Sequence, residues 1–332
     1  MDSPASLDRE LLKTFYNAPR YHMQDYEPWP GTFTTFNEFF RRPIKREVRP
    51  IASPDDPRII ANPADCTFSG SWPVDDKGQV KFKRVPWSIS QLLDDVGSEY
   101  KDQLDGGTFT HSFLNTTDYH RQHAPCDGEV IEARVIEGIA YLQVKVVMDP
   151  MTGKPMVEMQ RTPEPFKKIH QDVIGMLPIN SPWKMSGEGE DEVGRGHLDA
   201  PNEPGYQFLQ TRGLVLIKNP VLGLVACMPI GMAQVNSVVL SVKKGDYLTK
   251  GQEISFFKFG GSDIVMVFQK QANVEFTANM SQCSDVIRSD SELVPARLVG
   301  TGSSQDWITS LSQWNPFGKK VAVAKPTPTE NA

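Results

Sequence analysis

The spacing of apolar residues divides the chain into a short helical beginning and a longer region of strands. Over residues 1–50, the pattern predicts a helix capped by Ser6 and a second short amphipathic helix that ends at Pro43. The apolar face of the second helix consists of Phe36, Phe39 and Phe40. We expect this face to pack over the main domain; the alternative is contact with a membrane surface, aided by Arg41 and Arg42.

From residue 51 onward, strand-like runs recur between Gly, Pro and Asp turns. The predicted strands are Gly128–Val135, Ala140–Val147, Gly213–Ile217, Gln234–Val242, Glu253–Phe259 and Ile264–Phe268. One helix is predicted at WSISQLLDDV, where Ile89, Leu92 and Leu93 have helical spacing. The pattern therefore predicts an α+β protein with a mostly antiparallel, sandwich-like β core and with N-terminal and peripheral helices.

Composition separates the chain into three parts. We expect an N-terminal helical segment over 1–50, a main domain over 51–317 and a flexible tail over 318–332. Within the main domain, residues 149–206 are rich in Pro, Gly and acidic side chains, which predicts a long excursion with flexible loops.

Charge and cysteine usage exclude several classes of protein. The net charge of −6 argues against a general nucleic-acid binder, because such proteins carry a basic surface. The four cysteines are widely spaced and form no CxxC pair, which favours reduced thiols over a zinc cage or a disulfide framework. The first residues lack the apolar core of a secretory signal, and no apolar run is long enough to span a membrane. We therefore expect a cytoplasmic protein, with peripheral membrane contact left open.

Three short segments carry reactive side chains: Asn62–Asp65, Asp118–Pro125 and Phe257–Asp263. Taken singly, each has a structural explanation. Asp65 could be a turn residue, the histidine pair could be structural or bind zinc, and Gly-Gly-Ser could be a hairpin turn. No metal is predicted, because a third zinc ligand would have to come from a distant histidine; the candidates are His111, His170 and His197.

An acidic residue, histidines and a serine in one chain also suit nucleophilic catalysis. A serine hydroxyl is a weak nucleophile until a base takes its proton, and a histidine, with a free pKa of about 6.5, can do so near neutral pH. A carboxylate can fix the tautomer and orientation of that histidine. A serine hydrolase is therefore one hypothesis, although the G-x-S-x-G elbow of many hydrolases is missing.

Four segments of the chain are more informative together than singly: FNEFFRRPIKREVRPI, NPADCTFSG, DYHRQHAPCDGEV and FKFGGSDIVMVF. Taken together and in order, they resemble the phosphatidylserine decarboxylase family. Family members carry a similar F-x-x-FF-R segment, a PADG segment, a YHRxH segment and a Gly-Ser cleavage site. The resemblance covers residues 35–270, and VACMPIGMAQVNSV is similar to the soluble, secondary-metabolism branch of the family.

The resemblance implies a zymogen that cuts itself between Gly261 and Ser262. Autocatalytic cleavage would yield fragments 1–261 and 262–332 and would divide the catalytic domain over 51–317. Ser262 would become a covalent pyruvoyl group. Such a group serves as the cofactor, because no standard side chain accepts the electron pair that a decarboxylation releases.

The resemblance also implies roles for the other site residues. Asp65 and His123 would form the pair that activates Ser262 for cleavage. His120 would serve the later decarboxylation, by returning a proton to the α-carbon of the substrate.

Two positions depart from the family pattern. Cys66 stands where the family has Gly, and Asp263 stands where it has Thr or a small residue. We expect the Asp263 carboxylate, next to the reacting centre, to repel a phosphodiester and to attract a substrate ammonium. Together with a lid formed by residues 149–206, this favours a free amino acid over a phospholipid as substrate.

The expected activity is that of a carboxy-lyase that removes the α-carboxylate of an amino acid, such as an aromatic one, through a Schiff base. The alternatives are a phosphatidylserine decarboxylase that makes phosphatidylethanolamine, a serine hydrolase, and an inactive relative that only binds. The expected partner is a small-molecule amino acid or a phospholipid head group. The sequence leaves open whether the protein forms a homodimer.

Overall fold

The fold is known from a computed structural model. It describes residues 1–28, 32–82, 85–94, 99–138, 143–148, 155–160, 185–186, 197–198, 210–231, 238–259, 262–276, 314–315 and 318–325. Every strand pairing within these residues is antiparallel, and a few helices accompany the sheets. This confirms the predicted α+β class with a mostly antiparallel core.

The described helices are α1 (Arg9–Tyr16), α2 (Phe36–Phe40) and α3 (Ile89–Leu92). Short 3₁₀ turns lie at Pro4–Ser6, Pro19–Tyr21, Met23–Asp25, Arg46–Val48, Lys101–Leu104 and Lys270–Ala272. The strands are β1 (Ile59–Ala61), β2 (Cys66–Pro73), β3 (Gln79–Phe82), β4 (Val85–Ser88), β5 (Thr108–Leu114), β6 (Arg121–His123), β7 (Gly128–Ile136), β8 (Gln143–Met148), β9 (Pro155–Gln160), β10 (Met185–Ser186), β11 (His197–Leu198), β12 (Arg212–Asn219), β13 (Gly223–Gly231), β14 (Val238–Leu240), β15 (Tyr247–Leu248), β16 (Glu253–Phe257), β17 (Ser262–Phe268), β18 (Val274–Phe276), β19 (Trp314–Asn315) and β20 (Lys320–Ala324).

Eight strands form the largest sheet, in the order β15-β7-β12-β13-β17-β5-β2-β19. Both of its faces are buried, because successive side chains of a strand point to opposite faces and here both sets are apolar. Along β17, Ile264, Met266 and Phe268 belong to one hydrophobic cluster, while Val265 and Val267 belong to another. We call the two sides the Met266 face and the Val265 face.

Each face is covered by a different layer. The Met266 face packs against two three-stranded sheets, β1-β20-β18 and β14-β16-β6, which contribute Ile60, Ile254 and Val321 to the shared core. The Val265 face packs against the β3-β4 hairpin and α3, which contribute Trp87 and Leu92. The predicted sandwich therefore holds for the Met266 face, and a further layer covers the other.

The first helix begins later than predicted. Asp8, not Ser6, caps α1, because the Asp8 carboxylate accepts a hydrogen bond from the backbone N–H of Leu11 at 2.7 Å. Ser6 lies in the preceding 3₁₀ turn, and the chain becomes extended at Leu7, with φ −149° and ψ 104°, before α1 starts.

The second predicted helix is confirmed as α2. Thr35 caps it, and it ends at Phe40, three residues before Pro43. Phe39 and Phe40 are buried, which confirms that they pack against the protein. No helix in the described part of the chain is long and apolar enough to cross a bilayer.

The helix predicted at WSISQLLDDV is shorter than its apolar spacing indicates. Trp87 belongs to β4, where it faces the hairpin core, and α3 starts after Ser88, whose hydroxyl accepts a hydrogen bond from the N–H of Gln91. Asp94 adopts the left-handed conformation with φ 65°, which prevents continuation of the helix.

The tail expected over 318–332 needs correction at its start. Lys320–Ala324 forms β20, the middle strand of a three-stranded sheet, and it buries Val321, Ala322 and Ala324. The apolar positions of VAVA supply enough buried surface to order this segment. Residues 326–332 and most of the excursion over 149–206 lie outside the described residues.

Candidate active site

Backbone hydrogen bonds bring two of the predicted site segments together. The N–H of His123 donates to the carbonyl of Pro63 at 2.8 Å, and the N–H of Ala61 donates to the carbonyl of Pro125 at 3.0 Å. These bonds dock the turn between β1 and β2, which carries Asp65, against β6. Two segments about 60 residues apart in the chain therefore become neighbours.

Asp65 is buried and is held by an arginine from the N-terminal segment. Its carboxylate accepts from Arg49 at two points, Nη2 to Oδ2 at 2.7 Å and Nε to Oδ1 at 3.0 Å, and its exposed fraction is 2%. Such a two-point pair fixes the carboxylate plane as well as its charge. The sequence did not single out Arg49, although it lies in one of the segments that carry the family resemblance.

The tautomer of His123 is set by a backbone carbonyl. Its Nδ1 lies 2.8 Å from the carbonyl oxygen of Gly251, and a carbonyl can only accept, so Nδ1 carries the proton. Nε2 is then the basic atom, and the Tyr119 hydroxyl lies 3.2 Å from it as its donor. The sequence predicted Asp65 as the orienting group. It did not predict the carbonyl of Gly251, because every residue has a backbone carbonyl and only the fold decides which one contacts His123.

Burial keeps His123 neutral. It lowers the pKa of His123 to about 4, and the hydrogen bond with Gly251 and the charges of Glu253 and Asp65 oppose this effect only in part. At neutral pH the imidazole therefore presents an unprotonated Nε2, which is the state that a general base requires.

His120 is fully buried beneath α2. Its ring lies 3.9 Å from the ring of Phe40, centre to centre. Burial lowers the pKa of His120 to about 3, and the positive charge of Arg42 adds to this, while the Asp118 backbone weakly favours the protonated form. Among the described residues, neither ring nitrogen has a hydrogen-bond partner of acceptable geometry. A buried polar group without a partner is uncommon, and a catalytic role is one of its recognised explanations.

Ser262 begins β17, with Gly231 of β13 on one side and Leu114 of β5 on the other. Its position in β17 is an even number of residues from Ile264 and Met266, the residues that define the Met266 face. Gly260 and Gly261 are outside the described residues, and cleavage between Gly261 and Ser262 stays a prediction.

Helix α2 holds the chain that leads into Ser262. Asn37 is buried, and its Oδ1 accepts a hydrogen bond from the N–H of Phe259 at 2.8 Å. The Phe259 ring lies 4.9 Å from Phe36 and 5.5 Å from Phe40. One short helix thus contacts both His120 and a residue three positions before Ser262.

Asp263 points away from the predicted site, which corrects its expected role. Its carboxylate is fully buried, and its Oδ2 lies 3.0 Å from Nε2 of His111 in β5. Residues two apart in a strand point to the same face of the sheet. Asp263 is two residues from Val265 and His111 is two residues from Phe109, so both lie on the Val265 face. The Asp263 carboxylate therefore lies on the side of the sheet opposite the Met266 face, where it pairs with His111.

The buried thiols provide no reactive centre in the described residues. Cys66, Cys126 and Cys227 are reduced and buried. Burial raises the pKa of Cys66 and of Cys126 to about 12, so both stay protonated. Within the described part of the chain, no group of three His, Cys, Asp or Glu side chains could hold a metal ion; the side chains of His170 and His197 are outside it.

Comparison with known proteins gives a consistent result. The family model described as phosphatidylserine decarboxylase matches residues 36–290. Decarboxylase iboD of Amanita muscaria is 28% identical over 74% of this chain and 61% of its own length. Phosphatidylserine decarboxylase proenzyme 3 of Schizosaccharomyces pombe is 27% identical over 99% of this chain and 26% of its own length. L-tryptophan decarboxylase of Psilocybe cubensis is 23% identical over 82% of this chain and 52% of its own length. The chain thus spans less than two thirds of each of these relatives.

Proposed function

This chain belongs to the phosphatidylserine decarboxylase family, and we propose that it is a self-processing, pyruvoyl-dependent decarboxylase that cuts itself between Gly261 and Ser262. One observation carries the proposal. His123, with its basic Nε2, and His120, with its unpartnered nitrogens, lie in the layer that covers the Met266 face, the face to which alternation assigns Ser262.

Self-cleavage begins at the Ser262 hydroxyl. Nε2 of His123 takes its proton while Oγ attacks the carbonyl carbon of Gly261; the bond from that carbon to the Ser262 nitrogen then breaks, which converts the amide into an ester. The proton held by His123 goes to that nitrogen. Elimination next removes the α-proton of residue 262 and breaks its Cβ–Oγ bond, which leaves a carboxylate on Gly261 and an enamine that regains a proton at Cβ to become an imine. One water molecule then replaces the nitrogen of Ser262, which departs as ammonia.

The residues fit the group that this reaction leaves behind. Ser262 is followed by six paired residues of β17, and the unpartnered His120 lies under α2, which also holds Phe259. The pyruvoyl group would supply a carbonyl that binds the substrate amine and accepts the electron pair released with carbon dioxide. His120, neutral in the uncut chain, would take the proton that the net reaction consumes and deliver it from a ring nitrogen to the α-carbon.

Arg49 and Asp65 support the base. The Asp65 charge favours the protonated form of His123, which arises when that histidine takes the serine proton. Arg49 keeps Asp65 in one orientation.

For the substrate, we propose a free amino acid with an aromatic side chain. L-tryptophan decarboxylase of Psilocybe cubensis supports this class. The buried Phe39 and Phe40 support it too, because they are not available to a bilayer. Asp263 gives no support to either substrate, because it is paired with His111 on the Val265 face. Phosphatidylserine is the second candidate, since the match to the Schizosaccharomyces pombe proenzyme spans 99% of this chain.

Purified protein tests the processing. Denaturing gel electrophoresis and intact-mass measurement should show fragments 1–261 and 262–332, with the second blocked as pyruvoyl, and Ser262→Ala should stay uncut. A single intact chain that reacts with an acylating probe would indicate a serine hydrolase, and an intact chain without reaction would indicate an inactive binding relative.

A second measurement tests the substrate. The cleaved enzyme is incubated with phosphatidylserine in detergent micelles and, separately, with a panel of free amino acids, while carbon dioxide release is followed. Release from an aromatic amino acid supports the proposal. Release from the lipid alone would reject the proposed substrate and leave the processing reaction intact.

A further inference from the structure

The pair formed by His111 and Asp263 has no part in the chemistry proposed above, yet Asp263 directly follows the serine. We propose that this pair is an anchor for the cut end of β17: it holds the chain in place after cleavage, so that the reactive group stays in position for decarboxylation. His111 and Asp263 are then positioning residues. This inference rests on the proposed self-cleavage.

The geometry suits an anchor. Asp263 is fully buried one residue beyond the cut, and its Oδ2 lies 3.0 Å from Nε2 of His111. His111 belongs to β5, which is hydrogen-bonded to β17 on one side and to β2 on the other. The pair therefore ties the first residues of β17 to a central strand of the largest sheet.

Cleavage creates the need for such an anchor. Before the cut, the chain on both sides restrains Ser262, with Phe259 held through its N–H by Asn37. After the cut, the residue at position 262 is a strand end, and strand ends fray because they have lost neighbours on one side. Catalysis tolerates little misplacement of a reacting group, since an error near 1 Å can cost about 100-fold in rate.

The position of the pair separates this role from a direct contact with substrate. Asp263 lies opposite Ile230 in β13, whose side chain belongs to the hydrophobic cluster on the Val265 face. The site histidines lie in the layer over the Met266 face. The pair therefore makes no contact with a group held on the Met266 face and reaches position 262 through the backbone of β17.

Three variants test the anchor. Asp263→Leu removes the acceptor, Asp263→Asn keeps an oxygen for Nε2–H of His111, and Thr110→Val is the matched control. Thr110 is also buried on β5 and donates across to β17, but at the carbonyl of Met266, further from the cut. Each variant is allowed to cleave, and kcat and KM for carbon dioxide release are measured together with amide hydrogen exchange over residues 262–268.

We expect Asp263→Leu to lower kcat about 10-fold with little change in KM, because the anchor touches no substrate. Its amides near the cut should exchange about 10-fold faster than in the cut wild type. Asp263→Asn should restore both values, and Thr110→Val should leave both unchanged. In the uncut Ser262→Ala background, Asp263→Leu should change exchange much less, since the continuous chain still restrains the strand.

Two results would overturn the anchor. One is wild-type kcat and exchange in cleaved Asp263→Leu; the other is equal acceleration of exchange in the cut and uncut backgrounds, which indicates a merely structural pair. If Asp263→Leu does not fold, His111→Gln, which keeps a donor, and His111→Leu, which does not, give the same comparison. A wild type that never cleaves would instead contradict the proposed function.

Discussion

The guanidinium of Arg49 donates two hydrogen bonds to the carboxylate of Asp65, one of 2.7 Å and one of 3.0 Å. The third nitrogen of that guanidinium, Nη1, donates to the carbonyl of Val48. An arginine of the N-terminal segment is therefore fixed by its own backbone and in turn fixes an acidic residue of the main domain. The segment over 1–50 does more than cover the core, since it completes the charge arrangement around His123.

Replacement of Arg49 by Leu should slow self-cleavage by about 10- to 100-fold, because Asp65 would lose its orientation next to the base. Removal of one partner of a buried pair also destabilises a protein by about 3–5 kcal/mol, so the unfolding free energy is measured alongside. Arg58→Leu is the matched control: Arg58 also contacts an aspartate, Asp56, at two points, but on the surface. Cleavage of Arg49→Leu at the rate of Arg58→Leu would contradict the role of Arg49.

The two histidines should separate by reaction. His123→Ala and Asp65→Asn should stay largely uncut, with cleavage slowed by roughly 100- to 10,000-fold, because Ser262 loses its base or the base loses its support. His120→Ala should be cut but should release carbon dioxide slowly. Gel analysis gives the first rate and carbon dioxide release gives the second. An uncut His120→Ala together with a cut and active His123→Ala would reverse the assignment.

In the proposed cleavage, Tyr119 would compete with the serine for the basic nitrogen of His123. Its hydroxyl lies 3.2 Å from Nε2, the atom proposed to accept the Ser262 proton. Tyr119→Phe removes this competitor, and a hydrogen bond of this kind is worth about 0.5–1.5 kcal/mol, so cleavage should become roughly 2- to 10-fold faster. The rate is followed from freshly synthesised or refolded chain, with wild type in parallel. Slower cleavage in Tyr119→Phe would show that the hydroxyl assists the base.

The sequence predicted the fold class because strands with apolar residues on both faces leave long apolar runs between turn residues. It predicted Asp65, His120 and His123 as site residues because their reactive side chains can be read directly from the sequence. It missed Arg49, whose pairing depends on how the N-terminal segment folds back. It also missed the carbonyl of Gly251, because any residue can supply one.

The direction of Asp263 could have been predicted. Ile264, Met266 and Phe268 alternate with Val265 and Val267, and Asp263 must take the parity of the valines. Since the strand is apolar on both sides, however, the sequence does not show which face carries the histidines. That relation depends on which layer brings β6 over the sheet.

Burial of the two histidines should make the uncut protein sensitive to mild acid. The pKa of His123 falls to about 4 and that of His120 to about 3, whereas both lie near 6.5 in the unfolded chain. Between these values the unfolded state binds protons that the folded state does not, so the free energy of unfolding decreases as pH falls from about 6.5 toward about 4. Each histidine contributes at most about 1.4 kcal/mol per pH unit, and this slope falls nearly to zero about one pH unit above 6.5.

Urea unfolding of Ser262→Ala, which keeps the chain in one piece, measures this slope between pH 6.5 and 5. Adding His120→Phe should remove about half of it, because the phenyl ring can pack on Phe40 but cannot bind a proton. Adding His22→Asn is the control, since His22 is exposed and Asn tolerates its left-handed backbone; the slope should not change. The carboxylates are mostly ionised over this range, so the histidines dominate. An unfolding free energy that is flat from pH 6.5 to 5 would mean that the histidines can take protons without unfolding, and the neutral base proposed for cleavage would lose its support.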